Sequence, residues 1–181
     1  LFVVWLLLGE GCGSPETATV AANRTHIIIL VITILCSFAL RAAGSNWGFP
    51  ILGHSDEYVI TDPAVAMNER HSMEPGRYNR PNHVSIFASA IAYPVVARAL
   101  SSESVKDGFE ADPLPFYLAS RLIVAAWGAA MTAAAFMIGS MVSPIAGLIA
   151  AILFALFPPF IEFPHYITPD VPLTTLTMFV I

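Results

Sequence analysis

Forty consecutive positions, Leu122 to Ile161, carry no Asp, Glu, Lys, Arg or His. A helix crossing a bilayer needs about 20 apolar residues at 1.5 Å rise each, so this run is long enough for two. Ser143-Pro144 interrupts it near the middle, as a turn should. The predicted spans are Phe116–Val142 and Ile145–Ile161, antiparallel, with Pro158-Pro159 ending the second. The first is rich in Gly128, Ala129, Ala130, Ala133, Ala134, Ala135 and Gly139. Small residues let membrane helices approach backbone to backbone.

Only 12% of the 181 residues are charged and 56% are hydrophobic, whereas a soluble domain carries about 25% charged residues. Too few charges remain to coat a water-facing surface, so the fold class is an all-α membrane protein, a multi-span helical bundle. The formal net charge is −5 and no basic run occurs, which argues against nucleic acid as a partner.

Around these spans the chain divides by composition. Residues 1–25 read as an apolar stub and a small, polar linker. Residues 26–43 form a further span, whose Arg41 is expected to snorkel to the interface. Residues 44–115 form a long polar outer loop, and loops longer than about 15 residues are usually functional or disordered. Within it, Asp62-Pro63 predicts the start of a short interfacial helix at Ala64 with Asp62 as cap. Residues 84–100 are short for a span and carry Pro94 and Arg98, which favours a second interfacial helix. A last span starts at 171–181, with Asp170 capping it in part. The chain begins at Leu1 and ends inside an apolar run, which leads to the expectation of a fragment, 26–181 being the N-terminal part of a larger transmembrane domain.

Three features carry chemistry. His54-Ser55-Asp56-Glu57-Tyr58 places adjacent acids soon after a membrane exit. Glu162, His165 and Asp170 flank another exit. Arg121 sits at the mouth of an otherwise uncharged helix. Each also has an ordinary reading: solvated loop acids, a helix cap, and a snorkelling arginine. The His-and-acid set lacks the helical His spacing or cysteine pair of common metal sites, so the metal remains unknown. Should 84–100 cross the membrane, the two acidic loops fall on opposite faces; should it lie in the interface, they share one.

Three blocks in order resemble a known family: His54-Ser-Asp-Glu-Tyr58 after the first helix, Phe116-Tyr-Leu-Ala-Ser-Arg-Leu-Ile-Val-Ala-Ala-Trp-Gly128, and the stretch from Ala150 through Glu162-Phe-Pro-His-Tyr-Ile-Thr-Pro-Asp170 to Leu173. Together they are similar to the N-terminal part of the GT-C type membrane glycosyltransferases, in the protein O-mannosyltransferase and aminoarabinose-transferase group of family 39, which depends on a phospholipid carrier. The resemblance implies transfer of a sugar from a polyprenyl-phosphate donor to a protein, lipid or glycan acceptor. It places the reaction at the outer face of the cell membrane, in a multi-pass protein. It implies Asp56 as the catalytic base, with Glu57 orienting it or sharing its charge. Arg121 or Arg80 then contacts the phosphate, and His165 and Asp170 line the same cavity, to position the acceptor or hold a divalent cation. The turn around Ser143 lacks the family's basic residues, and Asn79-Arg-Pro-Asn-His83 replaces a more aromatic stretch; both departures bear on the substrate more than on the class. The alternative is a non-enzymatic membrane transporter or assembly subunit handling lipid-linked carriers, which would carry charged residues within its helices.

Overall fold

The computed structural model describes residues 24–50, 54–76, 78 and 83–180. The stub and most of the linker expected at 1–25, and Arg80, lie outside the described residues. All regular structure among the described residues is helical: α1 (Arg24–Ala42), α2 (Glu57–Glu69), α3 (His83–Ala99), α4 (Val105–Ala111), α5 (Leu114–Ser140), α6 (Pro144–Leu156), α7 (Pro158–Glu162), a 3-10 turn (Phe163–His165) and α8 (Asp170–Val180).

Among the described residues two helices, α1 and α5, are long and apolar enough to cross a membrane; a third span results if α6 and the segment Pro158–His165 are counted together across their 65° bend. Ile28, Ile32 and Leu35 of α1, Ile149 and Leu153 of α6, and Leu173 and Phe179 of α8 all face outward. Apolar faces this extensive fit association with a lipid phase.

The α5–α6 turn forms as expected. Ser143 is the N-cap of α6, its hydroxyl accepting from the Ala146 amide at 3.1 Å, and Pro144 occupies the first helical position, where its missing N–H costs nothing. The return is tight because both helices offer glycine at the crossing. A Cβ on Gly139 would stand 2.9 Å from Ala146 O, and one on Gly147 2.8 Å from Phe136 O.

Three expectations are corrected. The second predicted span is not one unbroken helix to Ile161: α6 ends at Leu156, Phe157 is extended (φ −69°, ψ 119°), as a residue before proline prefers, and the chain goes on across the bend into α7. The helix expected from Ala64 begins instead at Glu57, with Pro63 inside it and Asp56 rather than Asp62 at the N-cap. Pro63 is therefore not a start signal. Arg41 does not snorkel. It is fully buried, donating to Ser37 O at 2.9 Å, to Ser37 Oγ, to Phe154 O at 3.1 Å and to Ala155 O at 3.4 Å.

α5 is the central column. α1, α6 and α8 pack along it, and α2, α3 and α4 gather beside its N-terminal part. Hydroxyl pairs tie these helices together: Ser37 with Thr132 at 2.8 Å, and Ser120 with both Ser89 and Tyr93 at 2.8 Å. Such pairs hold helices together where the hydrophobic effect does not. Tyr93 also meets Phe116 edge-on at 5.2 Å between ring centroids. The 17-residue α3 continues through Pro94. Pro94 leaves the Ala90 carbonyl without its helical amide, and Asn68 Nδ2 of α2 donates to that oxygen at 2.9 Å. α3 is thereby fastened to α2 and α5, and falls short of the length expected of a span.

Gly128 of α5 is where the Arg41 arm and the 3-10 turn pass. A Cβ there would lie 2.8 Å from Arg41 Cδ and 2.8 Å from Pro164 Cγ. Gly128→Ala is expected to destabilise the protein by about 1–3 kcal/mol, the usual cost of forcing a methyl into a packed site. Ala126→Val, on the exposed face of the same helix, is the control and should leave the thermal midpoint in detergent nearly unchanged. Equal midpoints for the two variants would refute this packing account.

Candidate functional site

The polar residues singled out in the sequence meet at one end of the helices. α1 ends at Ala42, and the following turn passes along α5 at the level of Arg121. α2 begins there at Glu57. The segment between the 3-10 turn and α8 closes the same end.

Arg121 is at its centre. It lies in the second turn of α5, and its side chain is 1% exposed, not at an interface. Nε donates to Glu57 Oε1 at 2.7 Å and Nη2 to Glu57 Oε2 at 3.0 Å. This is the two-pronged geometry that matches a planar guanidinium to a carboxylate. Nη1 donates to Ser45 O at 2.6 Å and Trp47 O at 2.9 Å, and the guanidinium carbon sits 4.3 Å from the Phe49 ring centroid, a cation–π contact. One side chain therefore holds the turn after α1 and the start of α2. Four of its five N–H groups are committed to the protein, so it is not presented to a phosphate.

Glu57 is fully buried. Besides Arg121 it accepts from the Ile167 amide at 3.4 Å. It thus ties α2 to the segment before α8. Asp56, next in chain, points differently: its side chain is 26% exposed, and Oδ2 stands 4.0 Å from His54 Nδ1. His54 Nδ1 accepts from the Asp56 amide at 3.2 Å, fixing that ring nitrogen as an acceptor. The His54 ring lies 5.7 Å from the Tyr166 ring, so the two acidic stretches of the sequence touch.

His165 belongs to the same end. Its Nε2 donates to Ala43 O at 2.8 Å, closing the 3-10 turn onto the end of α1. Asp170 is separate. It is exposed, at the first position of α8, and lies on a crevice of about 130 Å³ with Met131, Phe160, Phe163 and Val171. Asp56 is not among the residues lining it. His165 is turned to backbone, and Asp170 lies on a crevice lined from α5, α7, the 3-10 turn and α8. Among the described residues, no group of three or more His, Cys, Asp or Glu side chains is placed to hold a metal.

Sequence reading missed the pairing of Glu57 with Arg121, 64 residues apart. It also missed the burial of Arg41. The available signal was the same in both cases: an arginine in a nearly charge-free helix must find oxygen atoms, and the carboxylate or exposed carbonyls nearest in the fold are the candidates. Comparison with protein-family models, with curated proteins and with solved structures finds no match to this chain.

Proposed function

We propose that the chain belongs to a multi-pass membrane glycosyltransferase that moves a sugar from a polyprenyl-phosphate donor to an acceptor hydroxyl at the outer membrane face, with Asp56 as base. In this reaction the acceptor oxygen attacks the anomeric carbon, and the bond from that carbon to the phosphate oxygen breaks. The proton of the acceptor passes to the Asp56 carboxylate. Polyprenyl phosphate leaves with the bonding electron pair.

The observation that carries the reading is the division of labour within the adjacent acids. Glu57 is buried and held in both oxygens by Arg121; Asp56 is part-exposed, beside His54. A base needs access to its substrate, whereas a buried, paired carboxylate is a fixture. Arg121 takes the role of holding this arrangement, and Arg80 is the residue left to meet the phosphate. The transporter or assembly-subunit alternative calls for charged side chains within helices that face a pathway. The two central arginines, Arg41 and Arg121, instead donate to backbone carbonyls and to Glu57.

The test is sugar transfer from a polyprenyl-phosphate donor by the protein carrying Asp56→Asn. Transfer is expected to be lost, and undiminished transfer overturns the assignment. The outer-face placement has its own check. Single cysteines at positions 56 and 170 should both react with a membrane-impermeant thiol reagent added outside intact cells, and labelling of the two from opposite sides would sink it.

A further inference from the structure

The two prolines that end α6 leave a defined debt of hydrogen bonds. In an α-helix each carbonyl accepts from the amide four residues on. Phe154 would be served by residue 158 and Ala155 by residue 159; both are proline and have no N–H. The last amide of the helix, Phe157 N, goes to Leu153 O at 2.9 Å. The carbonyls of Phe154 and Ala155 are therefore left without a helical amide, and a buried carbonyl without a donor is costly. Arg41 donates to these two oxygens, from Nη2 at 3.1 Å and Nη1 at 3.4 Å.

We infer that Arg41 is a positioning residue: its guanidinium replaces the amide protons that Pro158 and Pro159 lack and so fixes where the chain leaves α6. Three further observations support this. Its cation faces the carbonyl end of α6, where the helix dipole favours positive charge. Its other acceptors, Ser37 O and Ser37 Oγ, lie one turn back on α1, so the arm is anchored before it reaches across. Gly128 leaves the gap through which the arm passes beside Pro164. The segment thus set in place is the one that brings His165 to Ala43 O and the Ile167 amide to Glu57. The Arg41 guanidinium acts on the candidate site through that segment; the Arg41 carbonyl, which accepts from Ser45 Oγ at 3.2 Å, is kept in any side-chain variant. The inference holds whatever reaction the site performs, because its readouts are not activity.

The test combines Arg41→Met with Pro158→Ala/Pro159→Ala in the whole protein in detergent. Amide hydrogen exchange at Ile167 should rise by about tenfold or more in Arg41→Met, equivalent to losing one hydrogen bond's worth of protection. The Val65 amide in the middle of α2 should hold its rate. In the alanine background residues 158 and 159 supply their own amides, so adding Arg41→Met there should lower the thermal midpoint far less than it does in the proline background. Unchanged exchange at Ile167, or the same loss of midpoint in both backgrounds, overturns the inference. If Arg41→Met does not fold with the prolines present, recovery of folding in the triple variant supports it and failure to recover refutes it.

Discussion

Arg121→Met is expected to destabilise the protein by about 3–5 kcal/mol, the cost of leaving one member of a buried ion pair without the other. Methionine keeps the length and bulk of the arm but donates nothing. Glu57, fully buried, is left with one 3.4 Å contact from the Ile167 amide, and the carbonyls of Ser45 and Trp47 lose their donor as well. The double variant Arg121→Met/Glu57→Leu removes both charges and should be less destabilised than the sum of its two singles, because neither charge is then stranded. The check is a thermal unfolding series in detergent on wild type, both singles and the double. A single-variant loss within about 0.5 kcal/mol, the range of an ordinary surface substitution, would show that the bridge contributes no more than an exposed one. Strict additivity in the double would show that the two side chains do not depend on each other.

The scaffold was readable because lipid imposes a coarse rule on composition. The charge-free stretch and the Ser143-Pro144 turn appear in α5 and α6 nearly where the pattern puts them, since Ser143 caps by its own side chain and Pro144 is local. What failed was decided by partners distant in sequence. Arg41 looked like an interface residue because nothing near it in sequence can accept its protons beyond Ser37; its acceptors at 154 and 155 exist only once Pro158-Pro159 breaks α6. Asp62-Pro63 looked like a helix start because that pair often is one, but here α2 begins at Glu57, whose carboxylate is fixed by an arginine 64 residues on. Pro94 counted against 84–100 as a span; the helix does fall short of that length, and it runs on through Pro94 with Asn68 of α2 serving the Ala90 carbonyl. The candidate site was legible as a list of residues and as two loops that meet. The burial of each side chain was not, because adjacent acids of one kind give no sign that Glu57 is enclosed and Asp56 is part-exposed.

That separation gives the second large effect. Asp56→Asn keeps the size of the side chain and a residue equally suited to a helix N-cap, but it removes the carboxylate proposed to take the proton. General-base catalysis contributes about 10²–10⁴-fold, and transfer should fall by that order. Because a base acts in the transition state, the loss should appear in kcat with KM little changed. Asparagine keeps the shape and much of the hydrogen-bonding capacity of the Asp56 side chain, so the thermal midpoint should fall far less than transfer does. Glu57→Gln should behave in the opposite way: it weakens the clamp on Arg121, so activity and stability should fall together. Measuring kcat, KM and thermal midpoint on both variants therefore distinguishes a residue that reacts from one that holds. If Asp56→Asn retains transfer, or loses it only in proportion to unfolding, Asp56 is not the base. If Glu57→Gln loses transfer at full stability while Asp56→Asn does not, the chemistry belongs to the buried acid, and the site would have to open around Arg121 for substrate to reach it.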